Sequence, residues 1–331
     1  MRGGGGRLAV MSALYALLLA VVVAVGSVVP VGWAARMPLV IDPVPLDPVP
    51  LGPMPSDGAF GPGAIPIDAD LDQPCEVGSA EPPAAVAKAL QAWGEDVQCI
   101  QVRGDIPRLA AIRVSGVVAI DAWTDVAAAA EGSRWWPVLL GSPISARGQL
   151  EAAAELVEQT GDRAADVLRA AAAVDVDGWF ARREDDILGG GEYPLSHERL
   201  EPANDFDWAT PYDSFSGDWL SEVVLVAVPA DDSASAAAVL QWGCWNDNPC
   251  PAEHVAILRE WHERYGADVV GMAQDILELR VTRPPDDWDE AVALAKQHYL
   301  YDHDIVDQGT GSIEALAASL LEAPGWRFWW D

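Results

Sequence analysis

Between Pro38 and Pro83 prolines recur at short intervals, twice as the repeat Asp42-Pro-Val-Pro-Leu46 and Asp47-Pro-Val-Pro-Leu51. No other feature limits folding as strongly. Each proline ring fixes φ and removes an amide donor, so residues 37–83 are expected to form an extended polyproline-type linker rather than helix or sheet. Upstream, residues 8–35 carry no charge and follow Arg2 and Arg7. Segment 1–36 therefore reads as a signal peptide or a membrane anchor. Gly32 and Ala34 suit a cleavage site, while the length of the uncharged run suits a span, and both readings stay open. Either one places the rest of the chain outside the cytoplasm, secreted or anchored, with membrane contact only through this segment.

Folded structure is then expected from Ala84 onward. Val86, Leu90 and Trp93 mark an amphipathic helix ended by Gly94, followed by a strand over Val97–Val102. Arg134–Leu140 reads as a strand, and Ala146–Ala173 as helix broken at Gly161-Asp162. Residues 185–221, rich in glycine, proline and aspartate, read as an irregular connection between a helix-rich α/β region (84–184) and a C-terminal α/β domain (222–331). In that domain Val223–Val228 is an apolar run of strand type. Ala234–Trp242 is a short helix, and Pro251 opens a helix closed by Gly266. Val269–Ala273 and Ile276–Arg283 form a hairpin turning near Asp275. Asp287 with Glu290 caps a helix through Tyr301, Ser312 caps another to Glu322, and Trp326–Trp330 is a terminal strand. The class expected is α/β, of the mixed α+β kind: a mixed sheet with a hairpin, covered by helices, in the C-terminal domain, and a helix-rich α/β N-terminal part.

The formal charge is −31, from 51 acidic and 20 basic residues. Such a field repels phosphate backbones and anionic headgroups, so no nucleic acid is expected as a partner and a basic protein is. None of the motifs of serine hydrolases, phosphate loops or dinucleotide sites is present. The five histidines show no metal-ligand spacing, and neither cofactor nor metal is expected. Asp302-His303-Asp304 with Asp307 could gather a cation, although an acidic loop needs none to exist. Asp268 and Glu278, with Arg280 beside them, resemble the Asp and Glu that hold a metal next to a lysine in some nucleases. Arginine stands where those enzymes carry lysine, however, and it cannot serve as a base.

Four cysteines allow three pairings, and an oxidising compartment favours their use. Cys244 and Cys250 are expected to bridge, with Cys75 pairing Cys99; simple burial of Cys244 and Cys250 is the open alternative. The segment between them is made of turn formers, so a loop is expected between two helices. Trp242, Trp245, Asn246 and Asp247 on this loop, His254 just beyond it, and Asp304, Asp307 and Gln308 after the later helix are expected to share one surface depression.

A resemblance rests on residues spread over this domain. They are Trp242-Gly243-x-Trp245-Asn246, Cys250-Pro251-x-x-His254, Trp261, Tyr265-Gly266-Ala267, Glu278-Leu279, Pro284-Pro285, Asp304, Asp307-Gln308-Gly309 and Phe328-Trp329-Trp330-Asp331. Residues 222–331 thus resemble the bacterial family called domain of unknown function 4253, and Arg134–Gly141 resembles an N-terminal extension of some members. The resemblance implies a fold unit and no reaction. The functional expectation is an extracytoplasmic protein-interaction module, toxin neutralisation being one version. The alternative is a hydrolase of an extracytoplasmic substrate such as cell-wall glycan.

Overall fold

The computed structural model describes residues 81–94, 97–100, 109–196, 198–203, 206–214 and 216–330. The export segment, most of the linker and Cys75 lie outside the described residues. Among the described residues no helix is long and apolar enough to cross a membrane.

In chain order the elements are α1 (Ala84–Trp93), β1 (Gln98–Ile100), β2 (Leu109–Val114), α2 (Ala119–Ala130), β3 (Trp136–Leu139), α3 (Pro143–Thr160), α4 (Ala164–Ala171), α5 (Val176–Leu188) and β4 (Val223–Val228). They continue with α6 (Ser235–Val239), α7 (Pro251–Tyr265), β5 (Ala267–Met272), β6 (Ile276–Val281), α8 (Trp288–Tyr301), a π-helical turn (Ile305–Thr310), α9 (Ile313–Leu320) and β7 (Gly325–Trp329). The mixed α/β class expected from the sequence is what the chain adopts. One seven-stranded sheet has the order β1-β2-β4-β3-β5-β6-β7. All neighbours are antiparallel except β3 and β5, which run parallel where Leu139 faces Gly271.

Strands from both sides of the 185–221 connection share this sheet. β4 lies between β2 and β3, so the sequence regions 84–184 and 222–331 meet in the middle of one layer. The reason is written in β4. All six of its residues are buried, with Val224, Val226 and Val228 entering the larger core and Val223, Leu225 and Ala227 the smaller one. A continuous apolar run is what a strand covered on both faces requires. Helices α1 and α2 pack in the smaller core, and α3 through α9 in the larger.

The connection itself is partly helical, since α5 extends to Leu188 and ends at left-handed Gly189. Further on, residues 206–212 form a strap over the sheet. Glu278 on β6 is fully buried and grips it, accepting hydrogen bonds from Ala209 N (2.5 Å), Thr210 N (3.0 Å) and Thr210 Oγ1 (2.7 Å). A Cβ on Gly271 would collide with the Thr210 hydroxyl, and one on Gly325 would lie 2.6 Å from the Phe206 ring. Two glycines thus let the strap lie directly on the strands.

Candidate functional site

The loop between α6 and α7 is bent to an unusual degree. Gln241, Gly243, Cys244, Asn246 and Asp247 all have positive φ, from 45° to 114°, a region that side chains other than those of glycine, asparagine and aspartate seldom enter. Its ends are held together by a Cys244–Cys250 disulfide with 4.2 Å between the Cα atoms. Cys244 N donates to Pro249 O at 3.0 Å and Asn248 N to Trp245 O at 2.8 Å. Pro251 starts α7, and Glu253 accepts from the Cys250 amide at 2.8 Å. Gly243 is obligatory, because a Cβ there would strike Pro249 O and come within 2.8 Å of the His254 ring. The cross-link restrains a short loop, so Cys244→Ser with Cys250→Ser is expected to cost about 2 kcal/mol. Denaturant unfolding of the oxidised protein and the double variant checks this.

Two residues expected at the surface are in the interior. Trp242 and His254 are both 0% exposed. The Trp242 indole donates to Ala273 O at 2.8 Å and packs on His254 and Trp330. His254 Nε2 donates to Asn248 Oδ1 at 2.6 Å, and its Nδ1 accepts from the Tyr301 hydroxyl. Burial drives the imidazole down to about 3, so it is neutral and works as a bracket. It ties the loop, through Asn248, to Tyr301 at the end of α8.

That bracket brings the second segment beside the first. Asp302 is buried, accepts from Trp329 N at 2.8 Å and Asp304 N at 3.1 Å, and is pushed well above the usual carboxylate range by desolvation. The π-helical turn follows. Gln308 is spent on bracing, since its Nε2 donates to Asp304 Oδ1 at 2.9 Å. Asp247 and Asp307 instead face one open cleft of about 540 Å³. His303 sits between them, with Nε2 3.6 Å from Asp247 and Nδ1 3.5 Å from Asp307 and 3.4 Å from Asp304. Asn246 is exposed at the loop tip. Trp245 turns elsewhere, into a separate small cavity.

The cleft also contains Arg183, Asp186 and Tyr299, which were absent from the sequence expectation, and His303, which was expected only as part of an acidic loop. Arg183 and Asp186 come from α5, Tyr299 from α8, and His303 from the second loop. Arg183 Nε donates to Leu300 O at 3.2 Å, its guanidinium lies 5.7 Å from the Trp179 ring, and Nη2 is 3.9 Å from Asp247. Burial, and then Asp307, raise the Tyr299 hydroxyl above its ordinary value. The aromatic and arginine positions of α5 were the available signal, had the helix been recognised to Leu188.

Among the described residues no group of three or more histidine, cysteine or acidic side chains is arranged to hold a metal ion. The carboxylates singled out for nuclease-like chemistry have structural partners. Asp268 Oδ1 accepts from Ser233 Oγ and His262 Nδ1, both at 2.9 Å, and its Oδ2 lies 3.6 Å from Arg280. Glu278 is committed to the strap.

No curated protein and no solved structure matches the chain. The segment that contributes β4 to β7 and both loops of the cleft, residues 224–331, matches the family model of a domain of unknown function, DUF4253.

Proposed function

We propose that this chain is an extracytoplasmic binding module whose cleft receives a cationic side chain of a basic protein partner. The observation that carries this reading is the convergence of Asp186, Asp247 and Asp307, from three separate segments, on one open cleft of about 540 Å³. Arg183, the arginine among them, is held by Leu300 O and the Trp179 ring and lies 3.9 Å from Asp247, so the three carboxylates outnumber it. The net charge of −31 adds long-range attraction that raises the encounter rate. A rigid loop serves such recognition, because the disulfide and the His254 bracket order Asp247 before the partner arrives.

The purified full-length chain should bind an arginine-rich peptide at an ionic strength of about 0.15 M and release it progressively as salt screens the charges. No binding at that ionic strength sinks the proposal. Export has its own check, in that a reporter fused after Pro83 should be active only outside the cytoplasm.

A further inference from the structure

The loop that presents Asp247 to the cleft turns Trp245 toward a second cavity of about 140 Å³, bounded also by Gln149, Ala152 and Gln274. Gln149 is the unusual member. On α3 it occupies the buried stripe with Ala146, Leu150, Ala153 and Val157, where an apolar residue would be expected. It is only 3% exposed. Its single side-chain hydrogen bond is a long one, from Nε2 to Leu240 O at 3.5 Å, and its carbonyl oxygen has no hydrogen-bond partner among the described residues. That oxygen is not one of the fully buried unpartnered atoms, so it is open to the cavity, where an entering donor can reach it. A ligand that donates to it would complete its hydrogen bonds and give a polar residue a use in this apolar stripe.

The surroundings define that ligand. The Trp245 indole supplies an apolar wall, and Ala152, one turn beyond Gly148 on the helix, keeps the floor low. Gln274 brings a second amide from the β5–β6 turn and lies so close to Gly148 that a Cβ there would sit 3.3 Å from its Oε1. A primary amide donates and accepts at once, so its natural complement is another amide, which does the same. The volume equals that of about four or five waters at ~30 Å³ each, which suits one acetamido group and is too small for a peptide strand.

The geometry points to a subsite for the N-acetyl group of an amino sugar, with the acetamide bound by Gln149 and Gln274 and the sugar ring resting against Trp245. The class of ligand is an N-acetylated glycan. This site shares no lining residue with the acidic cleft and stands or falls without it.

The test is titration of the full-length chain with tri-N-acetylchitotriose, with cellotriose as the matched neutral sugar lacking acetamido groups, and with a glutamine-containing peptide. Saturation-transfer NMR locates the contacting protons. The acetylated sugar is expected to bind at least about tenfold tighter than cellotriose, with the strongest transfer to its acetyl methyl. Gln149→Leu, which suits the apolar stripe, should abolish that preference while the melting temperature holds or rises. Gln274→Ala, at an exposed position, should weaken binding with no effect on folding. Equal binding of the two sugars, no binding of either, or preference for the peptide overturns the assignment.

Discussion

His254→Ala should destabilise the fold by about 3–5 kcal/mol, the range for removing a large buried ring. It should do so without any direct loss at the cleft surface. The imidazole is fully buried between Trp242, Tyr301 and Trp330, so truncation opens a cavity. It also strands the Tyr301 hydroxyl and Asn248 Oδ1, the two partners of its ring nitrogens. His254→Phe separates the two effects. It keeps the ring, discards both hydrogen bonds, and is expected to cost about 2 kcal/mol. Denaturant unfolding at pH 7 reads both. A loss below about 1 kcal/mol for the alanine variant would contradict the bracket role.

His298 sets the second large effect, which appears on acidification. It is 1% exposed, held against Trp261, Trp326 and Phe328, and its Nε2 has no hydrogen-bond partner among the described residues. Desolvation lowers its pKa to about 3, below the ordinary value near 6.5. On acidification the unfolded chain therefore takes up this proton first. The stability supplied by the neutral ring is complete above about pH 6.5 and is lost as pH falls toward 3, at about 1.4 kcal/mol per unit. Asp302 and Glu278 act in the opposite sense, because burial raises both and the folded state keeps protons that the unfolded chain releases. The total slope is therefore a sum, and a paired comparison isolates the histidine. Between pH 7 and pH 4.5, His298→Leu should gain about 3 kcal/mol relative to the parent chain. Parallel stability curves for the two proteins would show that His298 does not titrate as described.

The C-terminal elements were legible because their signals are local. The six-residue apolar run of β4, the Pro251 start and Gly266 stop of α7, and the Asp287 cap of α8 each follow from a few neighbouring residues. The sheet was not legible in the same way. Leu-Ala-Ala-Ile-Arg-Val, which forms β2, has no clean alternation, and its alanines fit helix as well as strand. With β2 unrecognised, nothing showed that β4 would be flanked by two strands from the first half of the chain.

The site divides along the same line. Turn formers and paired cysteines marked the loop, and Asp247 and Asp307 do meet at one cleft. The depths of Trp242 and His254 depend on Ala273, Asn248 and Tyr301, contacts that spacing alone does not encode. Arg183 and Asp186 were missed because a polar helix end resembles a connection when its buried face, Trp179 and Phe180, is short.

On the proposed reading, Asp247 and Asp307 make a specific cation-binding site rather than merely adding to a diffuse negative field. Isothermal titration of the full-length chain with an arginine-rich peptide at about 0.15 M ionic strength tests it, using two pairs of charge-removing variants. Asp247→Asn with Asp307→Asn neutralises the cleft, whereas Glu158→Gln with Asp162→Asn removes the same charge from exposed positions outside it. At least about a tenfold loss of affinity is expected for the first pair and less than about twofold for the second. Equal losses from the two pairs would contradict it.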